Sequence, residues 1–96
     1  MEDNYIELKF DKLITNLAGN KLGRSIYENQ VKEYVDFSKR NIIVLGDNIE
    51  DVAISFVQGF CHEIIEKYGK EETRKMIDVK SKSQDVVDKF KRTMVI

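Results

Sequence analysis

Residues 42–65 read IIVLGDNIEDVAISFVQGFCHEII, and they indicate the class of fold more clearly than any other part of the chain. The stretch begins with an unbroken apolar run, Ile42 to Leu45, which is typical of a strand covered on both faces. Gly46-Asp47-Asn48 then interrupts the run with residues that favour turns. From residue 52 to residue 68 the apolar side chains recur at helical spacing, which predicts an amphipathic helix. Its inner stripe is predicted to comprise Val52, Phe56, Val57, Phe60, Cys61, Ile64, Ile65 and Tyr68.

The N-terminal part of the chain predicts a strand and a helix before this unit. Residues 5–10 alternate apolar and polar side chains, as a half-buried or edge strand does. Residues 11–17 could extend that strand into a hairpin, and a glycine-asparagine pair marks the next break. Apolar positions between residues 22 and 35 fit a first crossover helix, in which Glu28 and Lys32 have the spacing of a stabilising ion pair.

The C-terminal part continues the alternation of helices and strands. Gly69 is well placed to end the long helix, because glycine readily adopts the backbone angles of a helix C-cap. After a short helical turn, Ile77–Lys80 alternates like a strand with one covered face. A last helix follows, and its N-cap is either Ser81, in a capping box with Gln84, or Ser83. The inner stripe of this helix is predicted to comprise Val86, Val87, Phe90 and Met94.

This order of elements predicts one small α/β domain over residues 1–96. Strands that alternate with helices imply right-handed crossovers, and therefore a mixed, mostly parallel sheet of about four strands. An N-terminal hairpin would add an antiparallel edge to that sheet.

Charge and composition argue against several classes of function. Lys and Arg number 16 and Asp and Glu number 17, with the signs interspersed, so we expect no nucleic-acid partner. The chain has no apolar span of signal or membrane length, so we expect no membrane partner and a cytoplasmic location. Cys61 is the single cysteine, and neighbouring helix positions such as His62 point in different directions, so we expect neither a Cys-His pair nor a zinc site.

The loop after the central strand carries carboxylates but no phosphate-binding pattern. Gly46 stands alone, whereas phosphate-binding loops have closely spaced glycines. Asp47, Glu50 and Asp51 could hold Mg²⁺ at this edge of the sheet. Acidic residues at a helix start are favourable without any ion, however, and we expect no metal and no cofactor. Because no catalytic spacing is recognisable, we expect no catalytic residue and no enzymatic activity.

Three segments resemble the STAS-like domain family: residues 23–26 (GRSI), 42–45 (IIVL) and 49–56 (IEDVAISF). That family comprises small bacterial domains of undetermined function, related to the sulfate-transporter and anti-sigma-factor-antagonist domains. The resemblance covers roughly residues 6–94 and implies a STAS-like fold. In the antagonists, the loop after the central strand carries a phosphorylatable serine at the start of the next helix, and a kinase-like ATPase docks there. By this resemblance, Ser55 occupies the place of the phosphoacceptor.

We therefore expect a non-enzymatic regulatory module that binds a protein partner, such as a kinase-like ATPase, through residues 46–55. Ile49 and Ile54 would provide apolar anchors, and the neighbouring acids would set specificity and encounter rate. The predicted partner-binding residues are Asp47, Asn48, Ile49, Glu50, Asp51 and Ile54.

Three alternatives stay open at this level. A phosphate on Ser55 would add nearly two negative charges beside free backbone N–H groups, but the hydroxyl could equally serve only to bond local backbone at the helix start. The same loop could be the mouth of a pocket in a small-molecule or nucleotide sensor. The high content of charged residues, 34%, also permits a phage or mobile-element inhibitor of a host factor.

Overall fold

Strands and helices alternate along residues 3–94, the part of the chain that the computed structural model describes. In chain order the elements are β1 (Asn4–Glu7), β2 (Asn16–Leu17), α1 (Asn20–Ile26), β3 (Asn41–Val44), β4 (Asp51–Val52), α2 (Ile54–Tyr68), α3 (Lys70–Met76), β5 (Ile77–Lys80) and α4 (Gln84–Thr93). A π-helical turn, Tyr27–Val31, continues α1. The predicted class, a small α/β domain with mostly parallel strands, is confirmed.

The described strands form two parallel sheets. The larger sheet has the order β1-β3-β5, with β3 in the middle, and the smaller one pairs β2 with β4. Because β2 pairs with β4 and lies in a different sheet from β1, the predicted N-terminal hairpin is wrong. The segment after β1 crosses to residues 51–52 instead of turning back, and this pairing buries Leu17 beside Val52.

The first helical segment changes from α-helical to π-helical hydrogen bonding after Ile26. Its last residues form a π-helical turn, in which the Lys32 N–H donates to the Tyr27 carbonyl at 2.8 Å. Positions four apart are no longer aligned in such a turn, so the predicted pair of Glu28 and Lys32 does not form. Lys32 Nζ instead contacts Glu63 Oε1 of α2 at 2.9 Å.

The apolar core lies between the larger sheet and the helices. Ile6, Ile43 and Val79 are aligned across the three strands on the core face, and all three are buried. The predicted inner stripe of the long helix is confirmed for its fully buried members, Phe56, Val57, Phe60, Cys61 and Ile64. Val52, however, lies in β4, because residues 51–52 pair with β2 and α2 begins only at Ile54. Val86, Val87 and Phe90 of α4, and Met94 directly after it, are buried as predicted.

The backbones of α1 and α2 touch through two glycines. An added Cβ at Gly23 would lie 2.6 Å from the Phe60 amide nitrogen, and one at Gly59 would lie 2.8 Å from the Asn20 carbonyl carbon. Both distances are shorter than van der Waals contact, so only glycine fits at either position. This close approach fixes the start of α2 against the segment that leads into α1.

The structure confirms the predicted end of α2 and selects Ser83 from the two predicted N-caps of α4. Gly69 ends α2 with a positive φ of 85°, and its N–H donates to the Ile65 carbonyl, as predicted. The N-cap of α4 is Ser83, whose Oγ accepts the Val86 N–H at 3.4 Å. The capping box at Ser81 is therefore wrong, because the Ser81 hydroxyl accepts the Ser83 N–H instead.

Candidate functional site

The predicted partner-binding loop, residues 46–55, follows the carboxyl end of β3. β1, β3 and β5 are parallel, so their carboxyl ends share one edge of the sheet, where ligands of open α/β sheets bind. Six of the predicted site residues have exposed side chains there: Asp47, Asn48, Glu50, Asp51, Ile54 and Ser55.

A second segment, residues 12–17, lies alongside this loop. The Glu50 N–H donates to the Thr15 carbonyl at 2.7 Å, and the Ala53 N–H donates to the Leu17 carbonyl at 2.7 Å. Asn48 Nδ2 adds a bond of 3.2 Å to the carbonyl of Lys12. The exposed side chains of the two segments form what we term the ribbon surface, which consists of Lys12, Leu13, Asn16, Asp47, Asn48, Glu50, Asp51, Ile54 and Ser55.

Ile49 differs from the other predicted binding residues because its side chain is buried, with 3% exposed. Its N–H donates to the Gly46 carbonyl at 3.1 Å, which closes a turn with the isoleucine side chain inside the apolar core. The prediction that Ile49 is an exposed apolar anchor is therefore wrong. Its side chain holds the loop to the core instead.

Two large apolar side chains on the ribbon surface are open to solvent. Ile54, at the first position of α2, is 47% exposed, and Leu13 is 90% exposed. Sequence analysis missed Leu13, because only the pairing of β2 with β4 brings its segment beside the loop. The available signal was the pair Leu13-Ile14, since adjacent side chains outside a helix diverge and one of them tends to face solvent.

The acids of the ribbon surface differ in their electrostatic surroundings. Asp51 Oδ1 lies 3.3 Å from Lys89 Nζ of α4. Within residues 3–94, the side chains of Asp47 and Glu50 have no ion-pair partner, and no set of three or more His, Cys, Asp or Glu side chains is arranged to hold a metal ion. Asp47 and Glu50 are thus free to meet cations of another molecule.

A polar groove of about 550 Å³ lies beside Asp51. It is lined by three carboxylates and three cations: Asp51, Asp85, Asp88, Lys89, Lys91 and Arg92. Since the formal charges of these side chains balance, the groove attracts neither a phosphate-bearing ligand nor a cation strongly.

Ser55 lies on the second residue of α2 and is exposed. Its Oγ accepts the backbone N–H of Gly19 at 3.0 Å, so the hydroxyl bonds a segment 36 residues away rather than local backbone. Gly19 has a positive φ of 98°, a backbone conformation that glycine adopts more readily than other residues. The hydroxyl therefore sits where the segment before α1 meets the start of α2.

Cys61 and His62 face different surroundings, as their spacing predicts. Cys61 is buried, and burial raises the pKa of its thiol to about 12. His62 is exposed and contacts Glu66 at 2.9 Å on the same helix. The thiol consequently stays protonated at neutral pH and is not an activated nucleophile.

Comparisons with known proteins returned no relative. No family model matches the chain, and searches of the curated proteins and of the solved structures found no match. Of the helices described between residues 3 and 94, none is long and apolar enough to cross a membrane. The relation to the STAS-like family therefore stays a prediction from the sequence.

Proposed function

We propose that this chain is a cytoplasmic, non-enzymatic regulatory module of the STAS-like kind, which binds a protein partner through the ribbon surface. Two exposed apolar side chains, Leu13 and Ile54, beside the unpaired acid Glu50, are the observation that carries this proposal. Protein interfaces combine apolar anchors with a polar rim in this way. The matching partner presents apolar pockets flanked by Lys or Arg side chains.

The backbone beneath these side chains is held in place before any partner arrives. The bonds from Glu50 to Thr15 and from Ala53 to Leu17 tie the loop to β2, and buried Ile49 ties it to the core. Less conformational entropy is lost when a rigid surface binds than when a flexible loop does. A surface of this kind supports specific binding despite its small size.

Phosphorylation of Ser55, with a kinase-like ATPase as the partner class, is the regulation we propose for this surface. Ser55 is exposed, next to Ile54, and follows the exposed acids Glu50 and Asp51 by five and four positions. A phosphate there would carry up to about two negative charges into the apolar part of the interface. Binding to a partner whose pocket receives Ile54 would weaken, because the charge would have to be desolvated.

The test begins with capture of a partner from a lysate of the native host on the immobilised chain, followed by titration of the purified partner. We expect Ile54→Asp and Glu50→Lys each to weaken binding by about tenfold or more. Glu71→Lys is the matched control for Glu50→Lys, because Glu71 is an exposed acid of α3 outside the ribbon surface. Folded variants at residues 50 and 54 that bind as tightly as the unmodified chain would refute the proposal.

A further inference from the structure

β1 is an edge strand, and its outer side is unpaired. The Asn4 N–H donates to the Arg40 carbonyl at 2.9 Å and the Leu8 N–H donates to the Val44 carbonyl at 3.0 Å, so even-numbered residues of this strand face β3. Backbone groups of alternate residues point to opposite sides of a strand. The N–H and C=O groups of Tyr5 and Glu7 therefore point outward, and nothing in residues 3–94 bonds to them.

The next outward-facing residue, Lys9, already has a partner. Gln30 Oε1 accepts the Lys9 N–H at 2.7 Å, and Gln30 Nε2 donates to the Lys9 carbonyl at 2.8 Å. A side-chain amide thus takes the place of a peptide group in a neighbouring strand. Gln30 belongs to the π-helical turn, and such turns are frequent at functional sites.

The opposite edge of the same sheet is partly blocked. The outward N–H of Val79 in β5 donates to the carboxylate of Asp78 at 2.8 Å, and α4 packs against this strand. Proteins generally block or cover exposed edges, because an open edge pairs with other chains. The outward N–H and C=O groups of Tyr5 and Glu7, by contrast, are not bonded by any group in residues 3–94.

A groove of about 470 Å³ runs along the open edge. β1 forms one side of it, and Asn29, Gln30 and Tyr34 form the other. Because both sides are walled, the groove receives a single extended chain more readily than the edge of a second sheet. Tyr5 and Tyr34, which line the groove and are 62% and 64% exposed, offer aromatic surface to the side chains of that occupant.

We propose that the β1 edge binds an extended peptide segment of another protein, which adds a fourth strand beside β1. The outward N–H and C=O groups of Tyr5 and Glu7 pair with the backbone of the segment, and an aromatic or aliphatic side chain of the segment packs against Tyr5 and Tyr34. Glu7 and Lys9 contribute one charge of each sign, so the segment carries little net charge. This groove and the ribbon surface have no residue in common.

Selection of a phage-displayed library of random short peptides on the full-length chain tests this proposal. We expect the selected peptides to share one aromatic or aliphatic position, and to slow hydrogen exchange of the Tyr5 and Glu7 amides by about tenfold or more. Peptide N-methylation at alternate residues should abolish binding, whereas N-methylation at the intervening residues should leave it unchanged. Only recognition through a strand edge gives that alternation.

Variants of the chain distinguish peptide binding in this groove from binding at the ribbon surface. Tyr34→Ser should weaken binding of the selected peptide by about tenfold, while Tyr34→Phe and the ribbon variant Ile54→Asp should not. Failure to select any peptide, or indifference of the selected peptides to the position of N-methylation, would overturn the proposal. Formation of a dimer that protects the Tyr5 and Glu7 amides without peptide would also overturn it, since the edge would then belong to a second copy of the chain.

Discussion

Ile49 and Ile54 carry the same side chain but have opposite surroundings. The turn that begins at Gly46 directs Ile49 into the core, and the start of α2 leaves Ile54 half in water. Hydrophobicity alone does not separate these two residues, because both are apolar positions of one short loop. The hydrogen bond that closes the turn decides which of them is available to a partner.

Truncation of the two isoleucines should separate a structural role from a binding role. We expect Ile49→Ala to lower the free energy of unfolding by about 2–5 kcal/mol, because it leaves a cavity beneath the loop. Ile54→Ala should change it by less than about 0.5 kcal/mol, since its side chain is half exposed. Urea denaturation followed by circular dichroism measures both effects, and similar losses at the two positions would contradict the placement of Ile49.

The burial of the Cys61 thiol makes the free energy of unfolding depend on pH. Burial raises the pKa of its thiol from 9.0 to about 12 in the folded chain. Between those values the unfolded chain loses a proton that the folded chain keeps, so the stabilising effect is complete below pH 9 and declines as the pH rises toward 12.

We accordingly expect the free energy of unfolding to be about 1 kcal/mol lower at pH 10 than at pH 8 on account of this thiol. The quantity to measure is the difference between the unmodified chain and Cys61→Ala across that interval, because subtraction removes the contribution of every other titrating group. A constant difference over the interval would show that the thiol ionises equally in both states.

At the scale of elements, the crossing of α1 and α2 sets the geometry of the candidate site. Gly23 and Gly59 let the two backbones touch, and this contact places Gly19 within reach of the Ser55 hydroxyl. The same contact fixes where α2 begins, and therefore where Ile54 and the exposed acids lie. The packing of α1 against α2 thus positions the ribbon surface, although neither glycine belongs to that surface.

Gly23→Ala and Gly59→Ala should each destabilise the chain by about 1–3 kcal/mol or more, because a methyl group has no room between the two backbones. Gly46→Ala is the matched control, since an added Cβ at that position meets no atom within 4 Å. It should change stability by less than about 1 kcal/mol. Thermal unfolding of the three variants compares them, and equal tolerance of alanine at all three positions would contradict the close crossing.

At the scale of the whole molecule, the two sheets share a single core. Leu17 and Val52 of the smaller sheet and Ile43 of the larger one belong to the same buried cluster, to which α2 contributes Phe56 and Phe60. Neither sheet has an apolar cluster of its own. The small sheet beneath the ribbon surface is therefore stable only as part of the complete fold.

This continuity predicts unfolding in one cooperative step. Circular dichroism, which reports helices, and tyrosine fluorescence, which reports local packing, should give coincident denaturation curves. An earlier transition confined to residues 11–17 and 46–53, visible as faster hydrogen exchange there with separate cooperativity, would show that the ribbon unfolds independently.

The parts of the fold that depend on local pattern were predictable from the sequence. The strand Ile77–Lys80, the inner stripe of α2 from Phe56 to Ile64 and the end of that helix at Gly69 follow from residue periodicity and from the freedom of glycine, and they agree with the structure. The exposure of the acids in the loop also followed from its turn-forming residues. Each of these features depends on neighbours within one or two turns of chain.

The tertiary structure alone decided the features that depend on distant segments. The parallel pairing of β2 with β4 replaced the N-terminal hairpin and brought the segment of Leu13 beside the loop. The bonds of Gln30 to Lys9 likewise join residues 21 positions apart. Local residue patterns were thus enough to predict the class of fold and the loop on which the candidate site lies. Only long-range packing and hydrogen bonding determined which side chains of that loop face solvent and which strand edge stays open, because these depend on what the rest of the chain places against them.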